Sequence, residues 1–187
     1  MLAEILDIPL DPIEVRKEEW VKLQQKHSNF EWDGRHYLEY DFFTDYFKKY
    51  IDIVANKFGK YKNIIVQYRN SASLEAARWS HVLHKDAYRS CMVTIPFSDI
   101  TDPVAFYTED SFRGRDIMPS KAPILMSFYS KDYAVFMDGQ VYHNVLVIDR
   151  RKPRILLQIN YDEPYQSLYK PETMKLITYD KKGKENL

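Results

Sequence analysis

The period of the apolar positions changes once along the chain. Over residues 14–26 an acidic start, a basic end and the spacing of Trp20 and Leu23 predict a helix. Over residues 41–58 the helical period is stronger still. Phe42, Phe43, Tyr46, Phe47, Tyr50, Ile51, Val54 and Phe58 recur one turn apart. Asp41 is the expected N-cap and Gly59 the expected stop. An aromatic stripe of this kind reads as a core face packed on a sheet rather than as a cofactor box. Residues 1–13 read as extended or irregular, because Pro9 and Pro12 interrupt any helix. Residues 28–35, with Asp33-Gly34, read as a turn.

After Gly59 the pattern becomes short β-rich runs. They cover residues 63–68, 79–83, 91–97, 104–107, 124–129, 133–137, 141–148 and 155–161. Turn residues separate them: Ser98-Asp99, then 110–119, 130–132, Asp138-Gly139 and 149–153. Residues 71–78 read as a connection. So many short strands predict an antiparallel sandwich or jelly roll, with the two leading helices covering one sheet. The expected fold is therefore mainly β with N-terminal helices. It is expected to form one domain over residues 1–187, with a helical cover at 14–58, a jelly-roll core at 63–161 and an extension at 169–187. The extension holds a short strand at 176–179 and a charged end expected to fray.

Composition narrows the picture modestly. Lys plus Arg balance Asp plus Glu at 27 each, so no global charge recruits nucleic acid or an acidic membrane. The single cysteine, Cys91, excludes an intramolecular disulfide and fits a reducing interior. It sits in an apolar run and reads as a small core residue. The first residues lack the basic region and long apolar core of a signal peptide, and no apolar run is long enough for a spanning helix. A soluble cytoplasmic protein is the expectation.

The candidate chemistry lies at His84-Lys85-Asp86, His143 and Arg154. In an extended strand, residues i and i+2 share a face, so His84 and Asp86 converge while Lys85 turns away. His143 lies in a distant strand-like run. Two imidazoles and one carboxylate are the ligand set of a non-haem Fe(II) site with open positions. Arg154 begins a third apolar run and is suited to grip an acidic cosubstrate by a bidentate ion pair. Each residue has a plainer reading. His84 and Asp86 would form a capped turn, His143 a satisfied core histidine, and Arg154 a rim arginine paired with Asp149 or Asp162. His27 and His36, in a polar stretch, read as hydrogen-bonded or exposed. His81 has opposite parity to His84 in a continuous strand and reads as structural.

The order His-x-Asp, a distal His, then Arg resembles the Fe(II)/2-oxoglutarate-dependent oxygenases, over approximately residues 63–161. The resemblance implies a double-stranded β-helix in which His84, Asp86 and His143 bind Fe(II). It implies that 2-oxoglutarate chelates the iron and that Arg154 pairs with its far carboxylate. The activity implied is that of a dioxygenase, most simply a hydroxylase of a small-molecule or peptidyl substrate. The sequence departs from the pattern at Leu156, where many members carry Ser or Thr two residues after the arginine. Tyr68, Thr94 and Tyr107 are candidates to replace that hydrogen bond. Trp79, Tyr88 and Tyr142 are candidates to line the pocket, and Arg113 and Arg115 to contact substrate at its mouth. Two other readings stand beside this one. One is a cupin-like metalloprotein that uses the same ligands without 2-oxoglutarate. The other is a non-catalytic jelly-roll binding module.

Overall fold

The computed structural model describes residues 2–69, 83–99, 103–109, 123–127, 132–145, 153–173, 178–179 and 185–186. The described chain is mainly β, and every strand pairing is antiparallel. A six-stranded sheet contains β1 (Ala3–Pro9), β2 (Gly34–Leu38), β3 (Asn63–Arg69), β4 (Cys91–Pro96), β7 (Tyr133–Asp138) and β9 (Arg154–Tyr161). Its order is β1-β7-β4-β9-β3-β2. A smaller sheet contains β5 (Val104–Tyr107), β6 (Leu125–Ser127) and β8 (Tyr142–Val145), in the order β6-β5-β8. His84 joins the free edge of β8 by an antiparallel bridge to His143. A two-residue ribbon, β10 (Thr178–Tyr179) with β11 (Glu185–Asn186), lies near the C-terminus.

Alternation along the central strands builds the layers, because successive side chains point to opposite faces. Val93, Ile95, Phe136, Leu157, Ile159 and Tyr161 face helices α1 (Ile13–Lys26) and α2 (Asp45–Phe58). Phe47, Tyr50, Ile51, Val54 and Phe58 of α2 supply the facing stripe, and Phe47 stacks on Phe97 at 4.5 Å. Each such ring, fully buried, contributes on the order of 2–3 kcal/mol. The other face of the large sheet meets the small one through Met92, Val135, Met137 and Leu156 against Val104, Phe106 and Val145. Arg16, wholly buried in α1, ties the helix to the sheet by donating to the carbonyls of Asp11 and Pro96.

The two expected helices form, but the second starts later than its apolar period suggests. Asp41 is not its N-cap. Residues Tyr40–Phe42 make a 3-10 turn, Thr44 precedes the helix in an extended conformation, and Gly59 ends it at φ 86°. Phe42 leaves the helical stripe because it stacks on His27 at 3.6 Å and packs on Phe30 and Trp32. The turn read over residues 28–35 runs into a strand that periodicity missed, β2. Gly34, at φ 114°, makes the turn, and β2 pairs with β3. Residues 1–13 also contain an ordered strand, β1, on the opposite edge of the sheet. The expected run at 79–83 and the connection at 71–78 lie outside the described residues, apart from Leu83. Cys91 is buried, its thiol is pushed up to about 12 by burial, and it donates to the Glu163 carbonyl. No described helix is long and apolar enough to cross a membrane.

Candidate metal centre

His84 and His143 face each other across the bridge, joined by two backbone hydrogen bonds of 3.0 and 2.9 Å. Directly opposed residues share a face, so the two rings come together, with centroids 4.5 Å apart. Asp86, two residues on, turns to the same side. The His84 Nε2 lies 3.9 Å and the His143 Nε2 3.8 Å from the Asp86 carboxylate. Ligand atoms of all three residues lie within 4.8 Å of one another. The His143 Nδ1–H donates to the Val141 carbonyl at 2.8 Å, which leaves Nε2 as the free lone pair aimed into the site.

A second layer of contacts aims the carboxylate. Arg89 Nε donates to Asp86 Oδ2 at 2.8 Å and Arg89 Nη2 to Oδ1 at 3.2 Å, a two-point grip. Arg89 Nη1 donates to Gln158 and Asn160 on β9, so the grip is anchored in the large sheet. Gln140 donates to the backbone carbonyls of Asp86 and Arg89. The Asp86 backbone N–H donates to Gly139 O, and Gly139 N–H to Ser90 O. Gly139 has to be glycine here. A Cβ would stand 2.8 Å from Asp86 Oδ2 and 3.2 Å from the Ser90 carbonyl oxygen.

The charges follow from this packing. Burial, opposed only in part by Asp86, pushes His143 down to about 4, so the ring is neutral near pH 7 and available as a ligand. Burial pulls the Asp86 carboxyl up, but Arg89 and the two histidines outweigh it and hold the group below the usual carboxylate range. Asp138, also buried, is raised by desolvation.

The cluster opens on a cavity of about 100 Å³ whose lining includes Arg154, Gln67, Arg35, Asp138 and apolar side chains of both sheets. Arg154 is buried and sits opposite Arg69 in the β3–β9 register. It is not at a rim, and Asp162 pairs with Lys62 instead; Asp149 lies outside the described residues. Leu156 packs in the apolar layer between the sheets. Of the three candidate replacements for its missing hydroxyl, Tyr68 faces Trp20 on the helix side, and Tyr107 clusters with Leu83 and Ala105 away from the cavity. Thr94 shares the inner face, in register with Gln158. Gln67 stands directly opposite Leu156 and lines the cavity.

Tyr88 is 73% exposed and lines a neighbouring hollow rather than this cavity, and Tyr142 packs against the Leu83 cluster under Lys85. His81, Trp79, Arg113 and Arg115 lie outside the described residues. His27 and His36 are structural: their Nε2–H groups donate to the carbonyls of Phe42 and Trp32. Sequence reasoning missed Arg89, Arg35, Gln67 and Gln158. Arg89 had a local signal, since it stands three residues after a buried aspartate. Gln158 had one too, an amide at inner-face parity in an apolar strand. Arg35 had none, because its strand went unread. The chain matches no family model and no curated protein.

Proposed function

We propose that the protein is an Fe(II)- and 2-oxoglutarate-dependent oxygenase, a hydroxylase on a double-stranded β-helix. The observation that carries the reading is the convergence of His84 Nε2, the Asp86 carboxylate and His143 Nε2 on one another, beside a cavity that both histidines line together with Arg154. Adjacent ligands of an octahedral ion with bonds of about 2.1 Å stand about 3 Å apart. The present 3.8 and 3.9 Å spacings are slightly wider, and a small movement of both imidazole rings toward the Asp86 carboxylate would close them on such an ion. The donor set, one carboxylate with two imidazoles and no thiolate, suits Fe(II). The strand orders support the jelly roll. From β3 onward β3, β4, β7 and β9 lie in one sheet and His84, β5, β6 and β8 in the other, so the chain crosses between the sheets at every step except β5 to β6.

In this reading His84, Asp86 and His143 hold the iron, and Arg154 pairs with the far carboxylate of 2-oxoglutarate. The bound pair supplies, with dioxygen, an oxidant able to hydroxylate an unactivated C–H bond. Arg89 holds Asp86 in its ligating orientation, and the Val141 carbonyl holds His143 in the ligating tautomer. Met92, Val104, Phe106, Met137 and Val145 exclude water from the cavity. Aerobic incubation with Fe(II) and 2-oxoglutarate, without substrate, tests the reading. Slow succinate formation is expected in the native chain and not in His143→Ala or Arg154→Ala. Equal rates in all three would refute it. Leu156, apolar where a hydroxyl would grip the cosubstrate, favours one alternative, a cupin-like metalloprotein. Metal-dependent activity that survives Arg154→Ala and needs no 2-oxoglutarate would select it.

A further inference from the structure

The polar inner face of the large sheet does not stop at the iron-ligand cluster. In the strand register Arg35 stands opposite Gln67, and Gln67 opposite Leu156, so the row runs outward to the edge strand β2. Arg35 lines both the main cavity and a second hollow of about 30 Å³. That hollow is also bounded by Tyr37, Asn63, Asp86, Tyr88 and Arg89. It thus shares a wall with the cluster through Asp86 and Arg89. Tyr37 and Tyr88 are 55% and 73% exposed, two large rings left in water beside it. Arg89 is engaged by Asp86, Gln158 and Asn160. Arg35 makes no hydrogen bond or ion pair among the described residues.

We propose that this hollow is a substrate subsite in which Arg35 pairs with a single carboxylate of the substrate while Tyr37 and Tyr88 flank its body. The placement of this hollow beside the iron ligands rests on the oxygenase reading. Of the two guanidinium groups that bound it, Arg89 is taken up by Asp86, Gln158 and Asn160, so Arg35 is the one left to meet a ligand. A guanidinium fork matches a carboxylate at two points. The subsite adjoins Asp86, so a substrate anchored there by its acid group presents a nearby C–H bond to the metal.

The test is an NMR titration of the full chain, with diamagnetic Zn(II) in place of iron and 2-oxoglutarate present, following the arginine Nε–H resonances. The probes are N-acetyl amino acids and their matching amides, with inorganic phosphate as the other anion. The Arg35 resonance, assigned by its loss in Arg35→Gln, is expected to shift saturably with at least one acid and with no amide. In Arg35→Gln the affinity for that acid, read from the other shifting signals, should fall about tenfold or more. Arg35→Lys should retain part of it. The proposal is overturned if no acid moves the Arg35 signal, if amides move it equally, or if phosphate alone moves it. It is also overturned if 2-oxoglutarate itself saturates Arg35. Failure of the oxygenase reading shows separately, as an Arg154 resonance that does not respond to 2-oxoglutarate.

Discussion

Strand β9 borders two different interiors. Toward the helices it presents Ile155, Leu157, Ile159 and Tyr161; toward the small sheet it presents Arg154, Gln158 and Asn160, with Leu156 among them. Both sides are almost fully buried, so burial alone does not distinguish them. The helix side is closed by rings such as Phe47, Phe58 and Phe136, and area removed from water accounts for it. The inner side buries Arg89, Asp86, His143, Gln158 and Asn160 together. Such groups cost free energy unless each finds a partner: Arg89 joins Asp86, Gln158 and Asn160, and His143 donates to the Val141 carbonyl. A chain selected for stability alone would fill that space with aliphatic side chains. One face therefore holds the fold and, in the proposed reading, the other carries the chemistry, so substitutions on the two should separate stability from function.

The largest separation is expected from His143→Ala. Iron affinity should fall more than about a hundredfold and turnover should vanish. The urea midpoint of the metal-free protein should move far less than it does for a helix-side change. Phe136→Ala is that counterpart. Phe136 is fully buried and stacks on Phe58 at 5.0 Å and on Tyr165 at 4.5 Å. Its loss should cost about 3–5 kcal/mol in urea unfolding, while the folded fraction keeps its iron affinity. If both variants lost stability equally, the two faces would not differ in what they contribute.

Acid titration sharpens the contrast further. His143 is held neutral by burial, with a folded pKa of about 4 against an ordinary value of 6.5. Between these values the unfolded chain binds more protons than the folded one, so stability is full above about pH 6.5 and falls as the pH drops toward 4. The loss approaches roughly 3 kcal/mol. Asp86, held low by Arg89, adds a loss of the same sign in more acidic solution. Metal-free unfolding curves across this range should slope in the native chain and flatten in His143→Ala. The smallest expected effect is that of Gly139→Ala. Its Cβ would press on the Asp86 carboxylate, costing about 1–3 kcal/mol in stability and about tenfold to a hundredfold in iron affinity.

The helix side was legible in the sequence because apolar repetition encodes it. The stripe from Phe47 to Phe58 needs no long-range information, whereas β4, β7 and β9, buried on both faces, show in sequence only as strand-like apolar runs. The convergence of His84 with Asp86 followed from strand parity alone, while its meeting with His143 needed the register that a bridge supplies. The misses have physical causes. Phe42 obeys helical spacing yet packs on His27 and Trp32, so tertiary contact moved the helix start to Asp45. Strand β2, Gly34–Leu38, carries glycine, arginine and histidine and is half exposed, so it has no apolar run to announce it. Arg35 came unread with it. Arg89 stands three residues after Asp86, a local hint of their ion pair, but its reach to Gln158 and Asn160, which anchors that pair in the large sheet, is long-range.

In the proposed reading the polar interior holds iron and 2-oxoglutarate together. Anaerobic titration of the metal-free protein with Fe(II) and then 2-oxoglutarate, followed by visible absorption, tests it most directly. A weak charge-transfer band from chelated cosubstrate is predicted, absent in His143→Ala and weakened in Arg154→Ala. Iron binding without a band would contradict the cosubstrate assignment, and no iron binding at all would contradict the account.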